Sequence, residues 1–283
     1  MRRLIVTADD FGAAVAVNEA VEQAHRHGIL TAASLMVAGA AVDDAVARAR
    51  TMPALGVGLH LVLVDGRPVL PAARVPALVG RDGRFRDDMV RSAIRIFLDP
   101  AARAQLAAEI EAQFAAFAAT GLPLDHVNAH KHFHLHPTIA ATILRFGRRF
   151  GMAAVRAPIE PRGVLRRIER VPGRDVAAPW ARRIGRGMRR AGMTVPDQVF
   201  GLAWSGAMDA RRLGGLIDHL PAGLSEIYAH PATADDYPGH APGYACRAEL
   251  AALTDPAMAA RLAARGVATG RFADFADSAG EGA

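Results

Sequence analysis

Cysteine is nearly missing from this chain of 283 residues: Cys246 stands alone, so no disulfide can form within it and a reducing cytoplasm is the expected setting. Lysine is just as scarce, Lys131 being the only one, and arginine carries the remaining positive charge. Aromatic residues make up 6%. Through the arginine-rich stretch from Arg145 to Arg170 only Phe146 and Phe150 interrupt, so no stacking platform is in place and nucleic acid is not expected as a partner. Long apolar runs are also absent. The longest uncharged stretch, Gly28 to Val42, is too short and too rich in small polar residues to cross a bilayer. The run Leu4 to Ala8 meets Asp9 and Asp10 at once, shorter than the apolar core of a signal peptide, so export is not expected.

What remains is ordinary for a soluble globular protein, with 51% hydrophobic and 22% charged residues. The net charge of +6 is unevenly spread. Fourteen arginines against Glu160, Glu169 and Asp175 leave Arg145–Arg190 near +11 and the rest near −5. A solvated basic face and a patch for an anionic membrane both fit that excess.

Short β-rich runs alternate with helix-period segments. Leu4 to Ala8 reads as a buried strand. Val17, Ala20, Val21 and Ala24 then mark one helix face, and Gly28 is placed to end it. Further strands are expected at Leu30–Val37, Gly56–Val64, Asp125–His130, Ala153–Ala157, Thr194–Phe200, Ser225–His230 and Val267–Phe272. Helices are expected at Val42–Arg50, Leu106–Ala119 and from Pro137. Alternation of this kind implies parallel pairing with right-handed crossovers. The expected fold is therefore a single-domain irregular (β/α) barrel of about seven parallel strands, spanning 1–275. Long loops are expected near 64–86 and 158–179, with a disordered tail at 276–283.

Polar residues fall at the ends of these strands. Asp9 and Asp10 close the first, His60 lies in the third, His130 ends the fourth and His230 ends a late one. In a parallel barrel the carboxyl ends share one face, and the active site lies there. Neighbouring carboxylates on a strand point to opposite sides, but at a strand end the chain can turn both into one pocket. The run from His126 to His136 carries five histidines at even spacing, which an extended segment would present on one face. Asp10, His60 and His130 supply one carboxylate and two imidazoles for a divalent ion, leaving positions open for water and substrate. Asp9 is the candidate base and His230 the candidate acid for a departing amine. A two-metal amidohydrolase-like site on His130 and His132 is the competing reading, and it needs a late carboxylate ligand that is not obvious here.

Taken together, Ala8-Asp9-Asp10-Phe11-Gly12, Gly58-Leu59-His60-Leu61, His130-Lys131-His132-Phe133-His134, Ala229-His230-Pro231 and Arg247-Ala248-Glu249-Leu250 resemble the YdjC/ChbG family of carbohydrate deacetylases. The resemblance implies a polysaccharide-deacetylase-like barrel and one divalent metal, zinc or magnesium, on Asp10, His60 and His130. It also implies Asp9 as base, and His132, His134 and Arg247 are assigned to substrate binding. Asn128 stands where diacetylchitobiose deacetylases carry Asp, and Lys131 replaces a histidine. Within the family the arginine-rich middle looks most like the hopanoid-biosynthesis-associated HpnK branch. That branch implies an N-acetylglucosaminyl hopanoid as substrate and peripheral contact with the inner membrane face, soluble chito-oligosaccharides being the alternative. The basic segment Arg162–Arg190, with Val164, Leu165, Ile168, Trp180 and Ile184 interspersed, would supply that contact.

Overall fold

Strands and helices alternate along the computed structural model, which describes residues 1–172 and 178–276. β1 (Arg2–Phe11) leads through α1 (Val15–His27) to β2 (Ala32–Leu35), α2 (Val42–Arg50) and β3 (Gly56–Leu61). After α3 (Met89–Leu98) and α4 (Pro100–Ala119) come β4 (Val127–Ala129), a tight 3₁₀ segment His130–Leu135, and α5 (Pro137–Arg149). α6 (Arg162–Leu165) and α7 (Ala178–Arg190) precede β5 (Gln198–Phe200) and α8 (Ala210–Asp218). β6 (Gly223–Ala229), α9 (Cys246–Thr254), α10 (Pro256–Ala264) and β7 (Val267–Thr269) complete the order. Asp99, Asp209 and Asp255 cap α4, α8 and α10 by accepting first-turn N–H groups, and proline opens α4, α5 and α10.

Every strand pair is parallel, in the order β4-β3-β2-β1-β6-β5, with β7 beside the start of β1. Single bridges close the remaining gap: Val127 pairs with Val155, and Ala154 with Thr194, which leads into β5. The expected strand at Ala153–Ala157 thus exists only as bridging backbone. The result is an irregular single-domain barrel, as the strand–helix alternation implies.

Period-two alternation fills the barrel in layers. Ile5, Ala32, Ala154, Leu224 and Phe272 form an apolar plug at the end where the strands begin. One step further along sit Thr7, Ser34, Gly58 and Glu226, and beyond them Asp9, His60 and Asn128. The outward residues Leu4, Val6 and Ala8 pack with Val17 and Val21 of α1 and Leu213 and Leu216 of α8 in the main core. Gly58 has a steric reason: a Cβ there would lie 2.5 Å from the His126 ring.

Three expectations need correction. The segment from His130 is not extended, because β4 ends at Ala129 and Lys131 and His132 adopt left-handed φ angles of 52° and 54°. Only His126, Asn128 and His130 keep the strand's period, so the five histidines scatter. α3 lies where no helix is expected. The long stretch near 64–86 is anchored to α4, with Glu109 accepting the N–H groups of Val69 and Leu70 and Gln105 that of Ala77. Finally β7 stops at Thr269. The expected tail after residue 276 and residues 173–177 of the second loop lie outside the described residues.

Candidate active site

β1 solves the problem of two adjacent carboxylates by a change of backbone. The β1–β2 register shifts between Ala8 and Phe11, and Asp10 takes a φ of 64°. That left-handed step, which aspartate tolerates better than most residues, brings Asp10 round to the imidazoles of His60 and His130. Asn18 secures the turn by accepting the Gly12 N–H at 2.8 Å.

Asp10 Oδ1 lies 3.3 Å from His60 Nε2 and 3.3 Å from His130 Nδ1, and the two nitrogens are 3.4 Å apart. Asp10 Oδ1 is buried without an aligned donor, an arrangement costly for a carboxylate unless a cation completes it. A tetrahedral ion with bonds of about 2.0–2.1 Å spans ligand–ligand edges of roughly 3.3–3.4 Å. Octahedral edges at that bond length are about 2.9 Å. The three donors therefore fit one divalent ion, and they form the one such group among the described residues. The second cluster that a two-metal site needs is not among them.

Asp9, next to this group, is gripped by a residue that sequence reasoning missed. Arg156 donates to Asp9 Oδ2 at 2.6 Å and Oδ1 at 3.0 Å, and to Glu226 Oε1 from both Nε and Nη2. Its guanidinium is fully buried, with its carbon 4.5 Å from the centre of the Tyr228 ring. Burial works to raise the Asp9 pKa, but Arg156 and nearby His60 override it and hold Asp9 well below the usual carboxylate range. The same pairing keeps Arg156 protonated against its burial.

Asn128 organises the other side. Its amide nitrogen donates to Asp9 Oδ1 and Ser34 Oγ, and its oxygen lies 2.7 Å from His60 Nδ1. Since a carboxylate can only accept, Asp9 fixes which way the amide faces. His60 must then carry a proton on Nδ1, which makes Nε2 the nitrogen offered toward Asp10 and His130. The chain continues inward. Ser34 Oγ is 3.0 Å from His126 Nε2, and His126 Nδ1 is 3.0 Å from Asp125 Oδ2.

His230 follows β6 at the same face. Its backbone N–H donates to the buried Glu249 carboxylate at 2.5 Å, and Glu249 also accepts the Met208 N–H. Burial raises the Glu249 pKa. The His230 ring lies against Tyr228 and Tyr244, with Nδ1 buried and without a hydrogen-bond partner. Glu249 falls in the motif that begins at Arg247, yet the buried anchor is the glutamate. Arg247 itself is exposed on α9, where its backbone N–H donates to Asp235.

His132 Nε2 is 2.8 Å from the Tyr228 hydroxyl, and burial holds its pKa well below that of a free histidine. His134 is 2% exposed, and burial pushes it down to about 3. It sits in the wall of the site rather than at its open surface. Lys131, at the mouth, pairs with Asp65 at 2.5 Å. The four non-glycine residues with positive φ among those described are Asp10, Asp65, Lys131 and His132. All of them stand at this rim, where backbone strain is characteristic of function.

Fold and donor set define a single-domain α/β barrel with one candidate mononuclear metal centre at its carboxyl face. The chain belongs to the YdjC-like protein family, which it matches over residues 3–264. It is 32% identical to a carbohydrate deacetylase of Geobacillus stearothermophilus over 97% of this chain and 98% of that one. A chitooligosaccharide deacetylase of Enterobacter sp. (strain 638) is 31% identical over 96% of this chain and 98% of its own. A carbohydrate deacetylase of Brevibacillus brevis is 40% identical over a shorter stretch, covering 52% of this chain and 56% of the relative. Among solved structures, a protein of Enterococcus faecalis V583 described as a candidate cellobiose-phosphate cleavage protein shares the fold. Its TM-score is 0.78 at 23% identity, with 97% of this chain and 98% of that one covered.

Proposed function

We propose that this chain is a metal-dependent N-deacetylase that removes acetyl from an N-acetylglucosamine-type sugar. The observation that carries this reading is the convergence of Asp10, His60 and His130 beside an arginine-held Asp9. Asp10, His60 and His130 would hold the ion, and two imidazoles with one carboxylate are a donor set that suits zinc. A divalent ion there supplies Lewis acidity, lowering the pKa of a water and polarising an amide carbonyl. Asp9, kept ionised by Arg156, takes the proton of the attacking water. His230 gives a proton to the nitrogen as the C–N bond breaks, so that acetate and a free amine leave. Tyr228 and Tyr244 shape the wall around His230, and His132 positions the Tyr228 hydroxyl.

The names of the relatives support a carbohydrate substrate. For the finer identity we carry a lipid-linked sugar of the N-acetylglucosaminyl hopanoid type, reached from the cytoplasmic face of the membrane. Four of the five exposed arginines of α7 support it, namely Arg182, Arg183, Arg186 and Arg190. Soluble chito-oligosaccharides are the alternative substrate.

Mass analysis of N-acetyl sugars and glycolipids incubated with the protein tests the reaction. A loss of one acetyl group per sugar is expected. Asp9→Asn and His230→Ala are expected to keep the metal while kcat falls about 10²–10⁴-fold. Turnover near that of the wild type in either variant removes its assigned role.

A further inference from the structure

Eight large apolar side chains are exposed among the described residues, and six of them lie in one neighbourhood. Five belong to α3: Met89 at 38%, Val90 at 67%, Ile94 at 54%, Phe97 at 62% and Leu98 at 68% exposed. Val90, Ile94, Phe97 and Leu98 follow the helical period, so they form one stripe on the side away from Ile96, the helix's buried residue. An outward stripe of this kind inverts the usual arrangement and marks an interaction surface. The sixth residue is Trp180 on α7, 41% exposed.

α3 and α7 meet through two consecutive residues. The Phe97 ring lies 6.5 Å from that of His136, and Trp180 Nε1 donates to the Leu135 carbonyl at 2.5 Å. Leu135 ends the tight segment that begins with His130, so this surface adjoins the wall of the site. α7 carries five arginines and no acidic residue. It buries Ala178, Ala181, Gly185 and Met188, which leaves Arg182, Arg183, Arg186 and Arg190 outward. The apolar residues expected to share this duty are turned inward: Leu165 is fully buried, and Val164, Ile168 and Ile184 pack against the core clusters. Arg189 is spent on the carbonyls of Val195 and Pro196.

We infer that the α3 stripe with Trp180, flanked by the exposed α7 arginines, is the face by which this protein docks on an anionic lipid surface. Apolar side chains with an indole beside them suit the boundary between headgroups and acyl chains, and the arginines complement the negative headgroups. The inference deepens the lipid-linked reading of the substrate and rests on it for purpose. Docking itself is scored without turnover, so its failure leaves the deacetylase reading standing.

The test is sedimentation of the full chain with vesicles of phosphatidylglycerol and phosphatidylcholine, against phosphatidylcholine alone. Binding to the anionic vesicles at low salt, weakened by high salt, is expected. Because Trp204 is buried and Trp180 is not, a blue shift of tryptophan emission on binding would report Trp180. The pair Ile94→Glu and Leu98→Glu should lower the affinity about ten-fold or more, leaving hydrolysis of a short soluble N-acetyl substrate unchanged. Arg182→Ser with Arg183→Ser and Arg186→Ser should weaken binding and flatten its salt dependence. The inference is overturned if the wild type ignores anionic vesicles, or if the Glu pair pellets as the wild type does. Self-association of the wild type that the Glu pair abolishes, with no vesicle binding, would overturn it too and make the stripe an interface between copies.

Discussion

The two ends of the barrel are built on opposite principles. Where the strands begin, Ile5, Leu224 and Phe272 pack in a dry plug under the long ladder of β1 with β6. Where they end, the interior holds Asp9, Asp10, His60 and Arg156, and the backbone takes its left-handed steps. The first end gains from burying apolar area. The second gathers polar groups that burial disfavours and that become useful only with a bound ion and substrate. Stability and chemistry are thus separated along the barrel axis.

Asp10→Asn should test that separation most sharply. Asparagine matches the shape and tolerates the left-handed backbone, so only the charge is lost. Metal analysis should find the ion gone and activity at background, while the variant unfolds close to the temperature of the metal-free wild type. Retention of a full equivalent of metal would break the comparison. Arg156→Met comes next, because it leaves Asp9 and Glu226 buried without their cation. A loss of about 3–5 kcal/mol in denaturant unfolding is expected, together with a fall in kcat, so this residue serves both stability and chemistry. Phe272→Ala, in the plug, should cost about 3–5 kcal/mol and leave kcat intact at temperatures where the protein stays folded.

The smallest effect concerns Asp125, which accepts from His126 and from the N–H groups of Phe272 and Ala273. Burial favours its neutral form, but His126 and those N–H groups override this and lower its pKa. A carboxylate depressed in the folded state stabilises fully above its unfolded pKa of about 3.9. That contribution is lost as pH falls through the folded value. Asp125→Asn should therefore cost about 1–2 kcal/mol near neutrality, and the gap in unfolding midpoint should close below about pH 4. A gap that stays constant to low pH would remove the charge from the explanation.

The strand-end polar residues were legible because apolar strands make Asp9, Asp10, His60 and His130 conspicuous. Their convergence followed from parallel topology alone. Arg156 was hidden for the opposite reason, since it is one arginine among fourteen in a stretch that invites a surface reading. Only the ring closure at Val155 turns it inward. α3 was missed because an apolar stripe on its exposed side erases the contrast that periodicity detects. Its residues, Met89-Val90-Arg91-Ser92-Ala93-Ile94-Arg95-Ile96-Phe97-Leu98, are apolar on more than one face.

The hydrogen-bonded line from Asp125 through His126, Ser34 and Asn128 to His60 has an evolutionary consequence. Each link fixes the donor and acceptor roles of the next, and Asn128 is the one member that both gives and takes through its side-chain amide. A change of residue 128 to aspartate, taken alone, would set a second carboxylate where the amide nitrogen now lies, 3.0 Å from Asp9 Oδ1. Ser34 would have to reverse its role at the same time, releasing His126. Position 128 is therefore epistatic with positions 9, 34 and 126. Replacing Asn128 by Asp calls for a coordinated rewiring of this line rather than a single tolerated step.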